Sequence, residues 1–467
     1  MRSTSNSQSY LNNEGYGRSW FVYFCSITSD LLCISYGFTT SWSSSIIPQL
    51  QSNNSEVNPL SRPITALETS ALAALPSVFG MLGVFGLLVT SKISDKAGRK
   101  ATLLFVAITV ILSYLVLAFA KHISIYYICL ACIGWCDGLM ILNLSAYNSE
   151  ISLNRDRGKL LCLQGIMVPA GSTIAYFSGY TSVRNIAFIA LICPSLFLGL
   201  SYFLPESPLS LVNDEKRCTQ VLERLRGTKH VDMEYLLLKK SKTNAKKFTV
   251  LDVFKSRAPI KGFLLSVGLF AAQSVSGIYM LTAFMAPIFN EAGSYISGNA
   301  IGVMAGFIQI ICVFCAAFFV ERLGRRPLLL SSNIFIILNL SCMGAYFYLR
   351  QTEVLLYGQL QWLPILLVAT YYIAYSIGMG PLPWTIMCDL FSNDLRTVGF
   401  SIVVVISYLQ VFLILFSIPL IGEAMGIYFC VWLQCGMSMM AFIGIYFTIP
   451  ETRGKSIEEM QIKLAAH

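Results

Sequence analysis

Apolar runs of bilayer-crossing length alternate along this chain with short polar breaks. A spanning helix needs roughly 20 apolar residues, and the pattern supplies twelve such runs. The expected spans are 20–47, 69–91, 101–120, 124–148, 160–180 and 184–204 in the first half. In the second half they are 260–289, 297–320, 328–350, 362–388, 397–421 and 425–449. The predicted fold class is an all-α membrane protein, with twelve transmembrane helices in two pseudo-symmetric six-helix bundles. Its parts are an N-terminal tail (1–19), a first bundle (20–204), a hydrophilic loop (205–259), a second bundle (260–449) and a C-terminal tail (450–467).

The polar breaks occur twice. Ile93-Ser-Asp-Lys-Ala-Gly-Arg-Lys100 returns as Val320-Glu-Arg-Leu-Gly-Arg-Arg-Pro327. Ser149-Glu-Ile-Ser-Leu-Asn-Arg-Asp-Arg-Gly158 returns as Cys388-Asp-Leu-Phe-Ser-Asn-Asp-Leu-Arg-Thr397, and Pro205-Glu-Ser-Pro208 as Pro450-Glu-Thr-Arg453. The acid-to-arginine spacing of Glu150 and Arg157 is kept by Asp389 and Arg396. A polytopic bundle duplicated with its charged breaks is the plan of an alternating-access carrier.

Composition narrows the class further. The chain is 55% hydrophobic and 12% charged, against roughly 25% charged in soluble proteins, and its mean hydropathy is +0.65. Residues 1–19 lack the basic-then-apolar order of a cleavable signal. The net charge of +9 reads as topology rather than as a nucleic-acid footprint. If both termini are cytoplasmic, the outer loops hold only Arg62, Lys121, Arg184 and Arg350. The sequon Asn53-Asn54-Ser55 then falls in the first outer loop, a candidate glycosylation site at Asn53. A multi-pass protein of the plasma membrane is expected.

Enzyme chemistry finds little support. The fourteen cysteines include the pairs Cys129/Cys132 and Cys312/Cys315, but both sit in apolar runs without a second ligand pair, as packing residues do. No nucleotide-binding loop, HExxH or nucleophile elbow is present. No cofactor, metal site or catalytic residue is expected.

The repeated charges are candidate gates. Asp95, Arg99, Glu150, Arg157 and Glu206 fall at inner helix ends of the first half, and Glu321, Arg325, Asp389, Arg396 and Glu451 at the equivalent places of the second. Each exposed pair is worth about 0–1 kcal/mol, so a network that forms and breaks with the transport cycle can bias two states. Anchoring alone would need no acids.

With these motifs the chain resembles the sugar-porter branch of the major facilitator superfamily, particularly the insect trehalose-type and facilitative hexose carriers. Asp95-Lys-Ala-Gly-Arg-Lys100 and Glu321-Arg-Leu-Gly-Arg-Arg326 match D-R-x-G-R-R, and Arg157-Gly158 matches the R-G after span 4. Pro205-Glu-Ser-Pro208 matches P-E-S-P-R, Gly378-Met-Gly-Pro-Leu-Pro-Trp384 matches G-P-G-P-x-P-W, and Pro450-Glu-Thr-Arg-Gly-Lys-Ser456 matches P-E-T-K-G-K-S. The resemblance implies a substrate site in span 7, where Gln273-Ser-Val-Ser-Gly-Ile-Tyr279 stands for Q-Q-x-S-G-I-N; Ser274 and Tyr279 replace an amide each. It adds Gln309 in span 8, Trp384 in span 10, and Gln164, which neighbours the aligned Gly165 in span 5. Amides and hydroxyls suit a sugar's hydroxyls, and aromatic faces suit its ring.

Proton-coupled members carry an Asp in span 1 and an Arg in span 4; Thr39 and Leu130 stand there, which implies passive uniport. Thr39 is also counted among the substrate-binding candidates. Two intramembrane acids, Asp30 and Asp137, keep proton symport open as the alternative. A non-transporting sugar receptor on the same fold is another. The expected partners are a small neutral sugar and the lipid bilayer, with the monomer as functional unit.

Overall fold

The computed structural model describes residues 20–60, 62–89, 98–153, 156–244, 250–291, 296–352, 360, 362–392, 395–453 and 459–462, leaving aside the side chains of 87–89, 157, 241, 243–244, 251 and 317–323. Twelve helices among these residues are long and apolar enough to cross a membrane. Spans 1–6 are Trp20–Leu50, Ala66–Gly86, Arg99–Leu117, Ile123–Ile151, Gly158–Ser178 and Val183–Phe203. Spans 7–12 are Arg257–Glu291, Gly298–Ala316, Arg325–Gln351, Leu363–Leu390, Arg396–Met425 and Ile427–Thr448. Each expected run therefore coincides with an observed helix, with ends displaced by a few residues.

Odd spans run away from the end that carries the charged breaks, and even spans return. Spans 2 and 11 pack together across the two halves, as do spans 5 and 8, and span 1 meets the later part of span 7. One large apolar core is drawn mainly from the second half, and another from the first. Many large apolar side chains face outward, among them Phe105, Leu112, Ile128, Phe314 and Phe447. In water such a surface is a liability. In lipid it is what the bilayer requires.

The hydrophilic stretch 205–259 is not irregular throughout. It contains helices Glu215–Arg226 and Asp232–Asn244. Asp214 caps the first by accepting the Arg217 N–H at 3.2 Å, and Gly227 ends it in the left-handed region at φ 68°. The Arg226 guanidinium is almost fully buried. It donates to the Ile151 carbonyl at 2.9 Å and pairs with Glu234 at 2.6 Å, tying these helices to the end of span 4.

Spans 1 and 5 approach backbone to backbone. A Cβ built on Gly171 would collide with the Ile34 carbonyl, and one on Gly37 with the Val168 carbonyl. Such contact is the usual basis of helix association in lipid, where no hydrophobic drive exists between helices. Gly171→Ala should lower the thermal stability of the purified protein by about 1–3 kcal/mol. Gly199→Ala is the control, because a Cβ there meets nothing within 4 Å. Equal melting points for the two variants would refute the close-packing account.

Candidate functional site

Two spans are broken. Span 7 consists of helices Arg257–Val275 and Ile278–Glu291, joined through Gly277 at φ 93°. Span 10 consists of Leu363–Ala374, a π-helical turn Tyr375–Met379 and Leu382–Leu390, with Pro381 and Pro383 removing donors where the helix resumes. Backbone groups released inside a bilayer must find partners in the protein. Gln273 Nε2 donates to the carbonyls of Met379 (3.1 Å) and Gly380 (3.0 Å) and to the Tyr375 hydroxyl (3.2 Å). The Tyr371 hydroxyl donates to the Ser276 carbonyl at 3.0 Å. Ser332 Oγ donates to the Ala374 carbonyl and accepts the Met379 N–H. The two breaks brace each other.

Beside them lies a cavity between the halves, lined by residues of both. Spans 1, 2 and 4 contribute Tyr36, Thr39, Thr40, Ser43, Ser77 and Asp137. Spans 7, 10 and 11 contribute Phe270, Tyr279, Thr282, Trp384, Ser407 and Tyr408. The Trp384 ring meets Phe270 edge-on, 4.8 Å between centroids.

Of the residues anticipated for substrate, the structure brings Thr39, Tyr279 and Trp384 together on this wall. Thr39 Oγ1 donates to the Ser35 carbonyl at 3.0 Å and lies 2.9 Å from the Tyr114 hydroxyl. Gln273, Ser274, Gln164 and Gln309 are not among the wall residues. Gln273 spends its amide N–H groups on the span-10 break, and Gln164 Nε2 donates to Ser145 Oγ at 3.1 Å. Ser274 is buried, and Gln309 is half-buried on span 8. The hydroxyl-bearing face of span 1, Tyr36, Thr40 and Ser43, was not singled out in advance. Its spacing, which places the three on one helical face, is the signal that could have found it.

The two intramembrane acids differ. Asp30 is held by Asn148 Nδ2 at 2.8 Å and Ser26 Oγ at 3.3 Å, with Ser29 Oγ completing the network at Asn148 Oδ1. Asp137 is on the cavity wall, and no described residue hydrogen-bonds to its carboxyl.

At the charged end the two halves repeat one construction. Gly98 and Gly324 precede spans 3 and 9 at φ 91° and 88°. The Glu206 carboxylate accepts the N–H groups of Arg99 (2.7 Å) and Lys100 (3.1 Å); Glu451 accepts those of Arg325 (3.1 Å) and Arg326 (3.0 Å). Each glutamate thus caps, from a distant segment, a helix start whose N–H groups have no internal partner and whose dipole favours an anion. A Cβ on either glycine would press on that carboxylate. Burial raises the Glu451 pKa, but the N–H groups of Arg453, Arg326, Arg325 and Thr452 outweigh it and hold the carboxyl below its ordinary range.

The side-chain pairs stay within each half: Arg99 with Glu150 at 3.5 Å, and Arg325 with Asp389. Ser207 Oγ also donates to Glu150. Arg396 is half-buried, and its Nε has no hydrogen-bond partner among the described residues. Asp95 and the side chains of Arg157 and Glu321 lie outside the described residues. Glu206 and Glu451 were expected as members of a pairing network; they act here through backbone N–H groups.

At the opposite end, hydrogen bonds cross between the halves. Pro287 has no N–H, so the Ala283 carbonyl one turn earlier lacks its helical donor; Ser43 Oγ supplies it at 3.0 Å. Phe284 has non-helical φ/ψ, and beside it the Ala286 N–H donates to Ser44 Oγ at 2.9 Å. The Thr282 carbonyl accepts the Tyr176 hydroxyl at 2.9 Å, and Tyr180 and Ser297 meet at 2.8 Å. Asn53 is exposed in the loop at this end.

Comparison with known proteins agrees with this geometry. A sequence profile described as "Sugar (and other) transporter" matches residues 25–464. The chain is similar to the "Facilitated trehalose transporter Tret1-2 homolog" of Drosophila simulans, 30% identical over 419 residues, covering 86% of this chain and 84% of that one. It is 27% identical to "Facilitated trehalose transporter Tret1" of Aedes aegypti over 95% of its own length, yet spans only 55% of that relative. In fold it resembles the inward-open xylose transporter XylE of Escherichia coli, with a TM-score of 0.79 at 18% identity, covering 95% of this chain and 99% of XylE. The cavity between two six-span halves is therefore set in a multi-pass, major-facilitator framework shared with transporters rather than enzymes, and the chain belongs to the sugar (and other) transporter family.

Proposed function

We propose that this chain carries a neutral sugar, of the size of a hexose or trehalose, passively across the plasma membrane by alternating access. The observation that carries the reading is the cavity between the halves, where hydroxyls of Thr40, Ser77, Thr282 and Ser407 share the lining with the aromatic rings of Tyr279 and Trp384. Hydroxyl groups both donate and accept, as a sugar's do, and an indole face suits the apolar face of a pyranose ring. The names of the relatives, trehalose transporters, support the same class.

In this reading the charged end faces the cytoplasm and Asn53 faces outside, where it is a candidate glycosylation site. The serine clasp of span 1 on span 7 closes the outer end. The Arg99–Glu150 and Arg325–Asp389 pairs, with the capping glutamates, hold the helix ends that move at the inner side. Arg157, Arg396, Asp95 and Glu321 are assigned to the same gate. Gln273 shapes the site by fixing the span-10 break.

Uptake of labelled trehalose, glucose, fructose and polyols in a transporter-null host tests the function; no uptake of any sugar refutes it. Trp384→Ala should raise the half-saturating concentration about tenfold or more with surface amount preserved, and an unchanged value would move the site elsewhere. Uptake should persist with a protonophore present; collapse would replace uniport with proton symport. Ser43→Ala combined with Ser44→Ala removes two hydrogen bonds of about 1 kcal/mol each. Labelling of Ser407→Cys by an impermeant thiol reagent from outside should then quicken by about tenfold. An unaltered labelling rate would deny the clasp its gating role.

A further inference from the structure

We propose that the carboxylate of Asp137 makes this cavity selective for sugars or polyols that carry a protonated amine, which bind more tightly than their neutral counterparts. The inference rests on reading the cavity as the transport site.

Asp137 is 7% exposed and stands on the cavity wall in span 4. No described residue donates a hydrogen bond to it. Asp30, buried in span 1, shows the contrast: Asn148 and Ser26 satisfy it completely enough that it needs nothing from outside. The bundle can satisfy an acid with its own hydrogen-bond donors, and no described residue does so at Asp137.

No wall residue is basic, and the other titratable groups facing the space are the phenols of Tyr36, Tyr279 and Tyr408. An acid in such surroundings stays neutral unless a ligand meets the charge of its ionised form. A neutral hydroxyl can hydrogen-bond to the acid but gives it no reason to ionise. An ammonium group does both, through a charge-assisted hydrogen bond. The rings of Tyr36, Tyr279, Tyr408 and Trp384 line the same space, and aromatic faces attract cations as they do sugar rings. Acid, aromatic faces and hydroxyls together describe a solute with one cationic nitrogen on a polyhydroxylated body.

Two measurements keep this separate from transport itself. Glucose is compared with 2-amino-2-deoxyglucose and 6-amino-6-deoxyglucose, first by thermal stabilisation of the purified protein and then by competition against sugar uptake. In the wild-type chain at least one amino analogue should act at about tenfold lower concentration than glucose. Asp137→Asn should bring that ratio close to one, and Asp137→Glu should retain part of it. Glucose and both analogues acting equally on the wild-type protein would overturn the proposal, whatever the variants do. A preference that survives in Asp137→Asn would overturn it too. Loss of all sugar uptake with the amine preference intact in the binding measurement would refute the transport reading and spare this one.

Discussion

A bilayer offers no water to a broken helix, so every released backbone group must be bonded from within the protein. That constraint orders the central part of this structure. Spans 7 and 10 are both interrupted next to the cavity, and their interruptions are satisfied by polar side chains of their neighbours: Gln273 on Met379 and Gly380, Ser332 across the span-10 turn, Tyr371 on Ser276. The same accounting extends outward along span 7, where Pro287 and the non-helical Phe284 free groups that Ser43 and Ser44 take up from the other half. Irregular backbone thereby becomes the material of the interface between halves. A regular helix there would have nothing to offer those serines.

The charged end solves a related problem at helix starts. Spans 3 and 9 begin after a glycine with positive φ, and each start is capped by a glutamate from the segment that follows span 6 or span 12. Each cap binds the outermost helix of its half to the entry of another. The Arg99–Glu150 and Arg325–Asp389 pairs then join the same entries to the ends of spans 4 and 10. Within each half these contacts join the helix ends into one connected set. The duplicated motifs build this linkage twice.

The cavity is rich in hydroxyls and aromatic rings and poor in amides. The glutamines of spans 5 and 7 are engaged by the protein itself, Gln164 with Ser145 and Gln273 with the span-10 backbone. Hydroxyl groups make single, reorientable contacts and therefore impose less on a ligand's stereochemistry than fixed amides do. Asp137 is the exception to this uncharged lining. No other residue of the lining is acidic or basic.

Much of this was legible in the order of residues alone. Apolar length gave the twelve spans, since the thickness of the bilayer sets one number that every span must meet. The repeated polar breaks revealed the duplication. What the sequence could not determine was the partner of each polar group. Gln273 and Trp384 both looked like sugar ligands, yet one is committed to a backbone break and the other faces the cavity. Asp30 and Asp137 looked alike as intramembrane acids, and only their neighbours separate them. Glu206 looked like one half of an ion pair until the helix start of span 3 was placed against it. Hydrophobic burial is a sum over many residues and survives in a one-dimensional pattern. A hydrogen bond depends on where two particular groups meet, and that was settled only by the packing of helices distant in the chain.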